Sequence, residues 1–320
     1  MVQYVHGLPT RLNLMNKFLN RVSKLTDELE PQFGIEVAGK VVLIDGDSFC
    51  YESSTSVTLD TALRKLASKI LEVKYLTNAE FARVHLTPEG CEKNGRGSLL
   101  GVKPYQGNRK GIEKPALLEL IRTHAPSALE ALENVTIISH YDIEADDALM
   151  MECYELYVHG KQDVVLVSPD KDLRIAPCPQ YEVKTGGLLT LPKDDLYGWI
   201  DLKNMSSSKK VVGHGQKFFW AQMLMGDTAD NVKGVLTYDG KLCGAIKTYK
   251  ILKDVSNVND AANLVLDAYR AIDQNPLPEG EALWLLRDKE DSFYKYVTEL
   301  DLSPSNFTYI NNMLHSYWRF

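Results

Sequence analysis

Apolar positions along the chain gather into four short runs, each closed by a polar turn. Lys40 to Ile44 ends in Asp45-Gly46-Asp47-Ser48, and Phe81 to Leu86 ends in Thr87-Pro88. Val135 to Ile138 leads to Tyr141-Asp142-Ile143-Glu144, and Val164 to Val167 leads to Ser168-Pro169-Asp170. The last two, runs of four largely β-branched residues closed by a turn, predict buried parallel strands, and the first two predict further strands. Between them the period changes. Leu59, Leu63, Leu66, Ile70 and Val73 repeat at three and four residues, the stripe of a core-facing helix. Ala145 to Val158 reads as a helix that completes a strand–helix–strand unit with the two later runs. Tyr181 to Leu191, turning at Gly186-Gly187, predicts a β-hairpin.

Elsewhere the pattern is weaker. Residues 1–38 form an amphipathic preface, with a helical pattern from Leu12 to Leu29 and a break at Pro31. From Thr87 to about Lys114 periodicity dissolves into Gly, Pro and the basic residues Lys93, Arg96, Lys103, Arg109, Lys110 and Lys114. A loop this long inside a compact domain is usually functional or disordered. Residues 193–225 read as mostly helical, interrupted by Ser206-Ser207-Ser208-Lys209-Lys210 and Gly213-His214-Gly215. The remainder, to Phe320, reads as helical. The expectation is an α/β protein in three parts: a helical extension over 1–38, an α/β core over 39–192 with a basic segment at about 87–125, and a mostly helical region over 193–320.

Composition changes this picture little. Of the 320 residues, 44% are hydrophobic and 25% charged, ordinary for a soluble globular protein. No apolar run approaches the roughly 18 residues that span a bilayer, and the first twenty residues lack a secretory core. Cys50, Cys91, Cys153, Cys178 and Cys243 are scattered without metal-type spacing, so reduced thiols in a cytoplasm are expected. The net charge of −7 argues at first against a nucleic-acid partner. Nine carboxylates, however, fall at strand ends or in one later block: Asp45, Asp47, Glu144, Asp146, Asp147, Asp170, Asp172, Asp227 and Asp230. With those neutralised by metal the formal balance moves to +2, so a polyanionic partner stays open.

Each acidic pair has an ordinary reading. Asp45 and Asp47 suit a turn. Glu144, Asp146 and Asp147 suit the first turn of a helix, where they answer its dipole. Asp170 and Asp172 straddle Lys171 as an exposed mixed-charge turn would, and Asp227 with Asp230 suits a helix cap. Their combination is less ordinary. In an open α/β sheet, functional groups gather just past the carboxyl ends of the strands. Carboxylates crowded there call for a cation, and oxygen-only ligands select Mg2+ or Mn2+. Two such ions about 4 Å apart would clamp the attacking and leaving oxygens of a phosphodiester.

Five blocks, in order, resemble the flap endonuclease family of structure-specific 5′-nucleases, especially the stand-alone bacteriophage 5′→3′ exonucleases. They are Ile44-Asp45-Gly46, Tyr105-Gln106-Gly107-Asn108-Arg109-Lys110, Glu144-Ala145-Asp146-Asp147, Ser168-Pro169-Asp170-Lys171-Asp172 and Met225-Gly226-Asp227-Thr228-Ala229-Asp230-Asn231. The resemblance covers roughly residues 40–255. It implies a PIN-like α/β core with a helical arch, a helical DNA-gripping region, and metal-dependent cleavage of DNA from free 5′ ends, nicks or flaps, with RNA in RNA–DNA hybrids as a further substrate. The setting it implies is DNA replication, recombination or primer removal in a bacterial or phage-infected cell. Carried over, Asp45, Glu144 and Asp146 would hold one metal, and Asp147, Asp170, Asp172, Asp227 and Asp230 would hold or orient the other. Arg109 would contact the scissile phosphate, with Tyr105, Lys103, Lys110 and Lys247 as further DNA contacts.

Three departures stand out. Gln106 occupies a position that is often lysine in the family. The family has an acidic ligand after the second strand, where this chain offers Thr87-Pro88-Glu89, making Glu89 the substitute. The helix–hairpin–helix at about 232–252 lacks a Gly-x-Gly turn, which leaves potassium binding open. A rival enzyme reading is an aspartyl phosphatase of the haloacid-dehalogenase type, with Asp45 of Val41-Val42-Leu43-Ile44-Asp45 as nucleophile and Asp227 as distal ligand. A rival of another class is a DNA-binding relative that has lost catalysis, against which the intact carboxylates stand, because an idle acidic cluster repels itself.

Overall fold

The computed structural model describes residues 35–206 and 208–316. The helical pattern over Leu12 to Leu29 and the closing Tyr317-Trp318-Arg319-Phe320 lie outside them.

A six-stranded sheet forms the centre, in the order β3-β2-β1-β4-β5-β6. Its strands are β1 (Val37–Asp45), β2 (Ala79–Leu86), β3 (Val135–Ser139), β4 (Val164–Val167), β5 (Gln180–Glu182) and β6 (Gly187–Leu189). All neighbours pair parallel except β5 and β6, the hairpin predicted around Gly186-Gly187. The alternation of side chains along a strand then sorts the two cores. Val42, Ile44, Val165 and Val167 face one layer. That layer holds α1 (Gly46–Ser53), α2 (Leu59–Leu76) and α3 (Leu118–Ala128), through Phe49, Leu66, Ile70 and Ile121. Val41, Leu43, Val164 and Leu166 face the other. Burial on both faces is why these strands read as unbroken apolar runs.

The second layer begins with α4 (Ala145–Glu152), which runs into a π-helical turn at Cys153–Val158. It continues in α5 (Gln216–Met225), α6 (Ala245–Leu252), α7 (Val258–Arg270), α8 (Leu277–Leu283), α9 (Phe293–Thr298) and α10 (Pro304–Met313). Phe219, Trp220, Trp284, Phe293 and Tyr296 form an aromatic knot in which Trp284 stacks on Tyr296 at 4.0 Å.

Three expectations are corrected. Residues 193–225 are not mostly helical: β7 (Trp199–Asn204) and β8 (Lys209–His214) form an antiparallel hairpin before α5. Exposed Trp199, Asp201 and Lys203 alternate with half-buried Ile200 and Leu202, the period of two that a strand needs. The basic segment contains no α-helical arch before α3; it holds only 3-10 turns at Lys93–Ser98 and Gly107–Arg109. Cys153 and Cys178 are joined in a disulfide, and Cys50, Cys91 and Cys243 are free. No helix among the described residues is long and apolar enough to cross a membrane.

Candidate active site

Parallel register brings the strand ends to one edge. Ile44 aligns with Val84 on one side and Val167 on the other, so Asp45, the Thr87 loop and Ser168 emerge together. Asp45 caps α1, accepting from Ser48 N at 3.2 Å and Ser48 Oγ at 2.6 Å, and Ser168 Oγ donates to it at 2.7 Å. Above this edge opens a cavity of about 710 Å³. Asp45, Asp47, Glu144, Asp146, Asp170 and Asp230 line it together with Lys93, Tyr105, Gln106, Arg109, Lys110 and Arg122.

The carboxylates divide by what surrounds them. Burial pushes the Asp45, Asp146 and Asp170 carboxyls above their ordinary range. Mutual repulsion adds to it: Asp146 feels Asp45, Asp170, Glu144 and Asp47, and Asp170 feels Asp45 and Asp230. None of the three has a basic side chain at salt-bridge distance among the described residues, and Asp146 accepts no hydrogen bond there. Glu144 differs. Burial opposes its charge, but Arg96 and Lys93 outweigh burial and hold its pKa below the usual value. Lys93 Nζ lies 2.9 Å from it, Arg96 Nη1 3.2 Å, and the Tyr105 hydroxyl donates to it at 2.7 Å.

Asp147, one residue beyond Asp146, turns the other way. Its wholly buried carboxylate takes both Arg96 nitrogens, at 2.6 and 2.7 Å, and the Leu286 backbone N–H at 3.1 Å. It also accepts from Glu144 N as a capping box, so α4 starts on it. Arg96 itself is buried and donates to the carbonyls of Glu281 and Trp284 at 3.2 and 2.7 Å. Asp147 is thus a structural anchor and not an open ligand, and Arg96 faces no solvent. Asp172 and Asp227 are likewise occupied. Lys171 contacts both, and Gln222 Nε2 bridges them at 2.6 and 3.0 Å. Neither lines the cavity.

As the side chains stand, no three of His, Cys, Asp or Glu converge on a single ion position among the described residues. The donor chemistry nevertheless fits a hard cation at Asp45, Asp146 and Asp170: all oxygen, mutually repelling, and free of basic partners. Asp147 and Asp227 are instead each paired with a base, and Asp172, though it contacts Lys171 and Gln222, is still pushed up by burial and by Asp170. Asp230 stands between these cases, on the cavity wall but bonded to Arg109 Nη2 at 2.8 Å and Gln106 Nε2 at 2.9 Å.

The basic segment lies along the Gly-Asp block. Gln106 N donates to Asp230 O, Asn108 Nδ2 to Thr228 O, Arg109 Nε to Ala229 O and Asn231 Nδ2 to Pro104 O. That block can turn so tightly because Gly226, at φ +75°, would put a Cβ within about 2.4 Å of the Lys233 backbone. Arg109 and Lys110 line the cavity, whereas Lys103 and Lys247 do not. Lys247 packs over the Tyr238 ring at 4.6 Å. Glu89 is exposed at the rim, and the carboxylate seated at the end of β2 is instead Asp47, which accepts from Thr87 N at 3.1 Å and pairs with Arg122 Nε at 2.8 Å. Ser48, Ser168, Arg122, Lys171 and Gln222 escape a reading from sequence. Only Ser48, three residues past Asp45, carries a local sign, the spacing of a helix cap.

No protein-family model and no curated protein matches the chain. Among solved structures, the bacteriophage T5 D15 protein co-crystallised with metal ions aligns with a TM-score of 0.54 at 14% identity, covering 86% of this chain and 98% of that one. A pseudo-enzyme–product complex of the T5 D15 flap endonuclease with DNA and metal ions aligns at 0.49 and 15%, over 85% and 99%. The T5 5′-exonuclease with bound zinc aligns at 0.48 and 17%, over 81% and 97%. At this identity the likeness speaks for architecture: the chain shares the fold of the T5 D15 protein, and in this chain that fold is a mostly parallel sheet between helical layers.

Proposed function

We propose that the chain is a divalent-metal-dependent 5′-nuclease that hydrolyses phosphodiester bonds of DNA, acting 5′→3′ at free ends, nicks or flaps. One observation carries the reading. Three carboxylates, buried Asp45 and half-buried Asp146 and Asp170, face one cavity without an ion-paired base among the described residues, while the lining of that cavity also carries Lys93, Arg109, Lys110, Lys114 and Arg122. Anionic floor and cationic rim together suit a metal below and a phosphate backbone above. The shared fold with a protein co-crystallised with metal ions supports it.

Asp45, Asp146 and Asp170, with Glu144 beside them, would hold Mg2+ or Mn2+. A bound ion supplies an activated water and stabilises charge on the phosphate. The remaining work falls to the chain. Ser48 and Ser168 hold Asp45 through both oxygens and so fix the orientation of its carboxylate. Arg109, half-exposed, offers a planar fork to two phosphate oxygens once it leaves Asp230. Lys110 and Lys114 grip backbone phosphates, making affinity fall with salt.

The test is incubation with 5′- and 3′-labelled DNA duplexes in Mg2+ and in excess chelator. Short 5′ products formed only with metal are expected. Cleavage that persists in chelator, or release from 3′ ends alone, refutes the proposal.

A further inference from the structure

Lys93 is placed at a cost that its visible partners do not require. It has φ +54°, the next residue, Asn94, has φ +51°, and Gly95 follows at +70°. Asparagine and glycine tolerate the left-handed region; lysine rarely enters it. The turn is pinned from both sides, by Glu92 N on Tyr141 O and by Asn94 N on Asp142 O, each at 2.7 Å. Its effect is to aim the Lys93 ammonium into the cavity, 2.9 Å from Glu144 and 2.6 Å from Gln106 Oε1. Gln106 is the second non-glycine lining residue in this region of the backbone, at φ +50°. Its amide nitrogen donates to Asp230 Oδ1 at 2.9 Å and to the Tyr105 hydroxyl at 3.1 Å, which orients Oε1 toward Lys93. Strained backbone concentrates where a side chain must be held for function.

Glu144 does not need this lysine. Arg96 and Tyr105 already satisfy it from inside the protein, at 3.2 and 2.7 Å. Lys93 alone of Glu144's three donors reaches the cavity as a mobile charge, its side chain one-third exposed. Resting on the nuclease reading, we propose that Lys93 is the cation that touches the phosphate under attack and that Gln106 is its positioning residue. As water oxygen bonds to phosphorus and gives up a proton to solvent, and the bond to the leaving oxygen breaks with that oxygen taking up a proton from solvent, the ammonium answers the charge on a non-bridging oxygen. A preorganised donor of this kind acts on the rate more than on binding.

Single-turnover cleavage of a 5′-labelled duplex at saturating enzyme and Mg2+ tests this, with DNA affinity measured in Ca2+. Lys93→Met should slow cleavage by about 10²–10³, with affinity changed only a few-fold. Lys93→Arg should retain most of the rate. Moving the charge to the neighbour, in Lys93→Met with Gln106→Lys, should regain at least about tenfold over Lys93→Met, a recovery that a purely structural lysine would not produce. Should Lys93→Met fold poorly, Gln106→Ala decides instead, expected to lose about tenfold in rate with affinity retained. Wild-type cleavage with a Lys93→Met rate within about fivefold would make Lys93 a counter-ion of Glu144 and overturn the inference. A wild type that cleaves nothing under these conditions overturns the nuclease reading, and the inference with it.

Discussion

Replacing Arg96 with methionine separates a buried structural cation from a DNA contact. Arg96 donates in a fork to Asp147 at 2.6 and 2.7 Å, reaches Glu144 at 3.2 Å, and satisfies the Glu281 and Trp284 carbonyls. Methionine keeps the volume and removes every donor. Asp147, fully buried, is then left charged against one backbone N–H from Leu286 and one from Glu144. Breaking a buried pair by deleting one partner costs about 3–5 kcal/mol, because the survivor stays uncompensated. At roughly 2–4 °C per kcal/mol, Tm should fall by about 10 °C. Replacing the whole pair, Arg96→Met with Asp147→Leu, removes the stranded charge and should recover at least half of that loss, the two backbone donors setting the shortfall at about 1 kcal/mol each. Urea unfolding followed by circular dichroism gives the double-mutant cycle. A loss below about 1 kcal/mol in Arg96→Met, accompanied by weaker DNA binding, would refute the reasoning and return Arg96 to the phosphate-gripping set. A double variant less stable than Arg96→Met would refute it as well.

Further outcomes follow from the charges. Asp146→Asn should abolish Mg2+-dependent cleavage yet raise the metal-free Tm, since it removes one charge from a mutually repelling group; a lower Tm without metal would mean that Asp146 is not repelled there. Lys171→Met should lower metal-free stability by about 1–3 kcal/mol by leaving Asp172 to Gln222, and Asp227 to Gln222 and the Ala229 N–H, and should raise Mn2+ uptake measured by electron paramagnetic resonance; unchanged uptake would show that Lys171 does not compete with metal. Burial lowers His85 to about 3 and His214 to about 4. Both then bind a proton more readily unfolded than folded, so stability falls as pH drops below about 6.5, by up to about 1.4 kcal/mol per pH unit for each. The raised carboxylates bind protons more readily when folded and act in the opposite sense. His214→Phe should therefore flatten the loss between pH 6.5 and 4, and an unchanged slope in acid titration would exclude His214 as its source.

The sheet was legible because a parallel strand buried on both faces writes an unbroken apolar run, as β1 and β4 do, while β2 and the edge strand β3 were marked by shorter apolar stretches closed by turns. The acidic edge was legible for the same reason, since Asp45 and Ser168 follow directly on such runs. The hairpin of β7 and β8 was not, because its one half-buried face leaves only a weak alternation and its serine turn resembles a helix interruption. Within the site, adjacent residues separate by geometry that sequence spacing cannot express. Successive helical positions point about 100° apart, so Asp146 faces the cavity while Asp147 faces Arg96. Nothing local marks that difference, since the deciding partner lies 51 positions away.

The Arg96 anchor has a consequence for the order in which the protein is made. Its carbonyl partners lie 185 and 188 residues further along, and Leu286 reaches Asp147 across 139. Contacts of such long range form late, after the loops they close have been ordered. During synthesis the β1–β4 sheet can assemble while the chain is barely half made, but the Arg96–Asp147 pair at the start of α4, which presents Glu144 and Asp146, lacks its Glu281, Trp284 and Leu286 backbone partners until residue 286 has emerged. The carboxylate edge would remain loosely held until then, so a nascent chain released early should be a folded sheet without a working site. If the proposed nuclease reading holds, the activity would in this way arise only near completion.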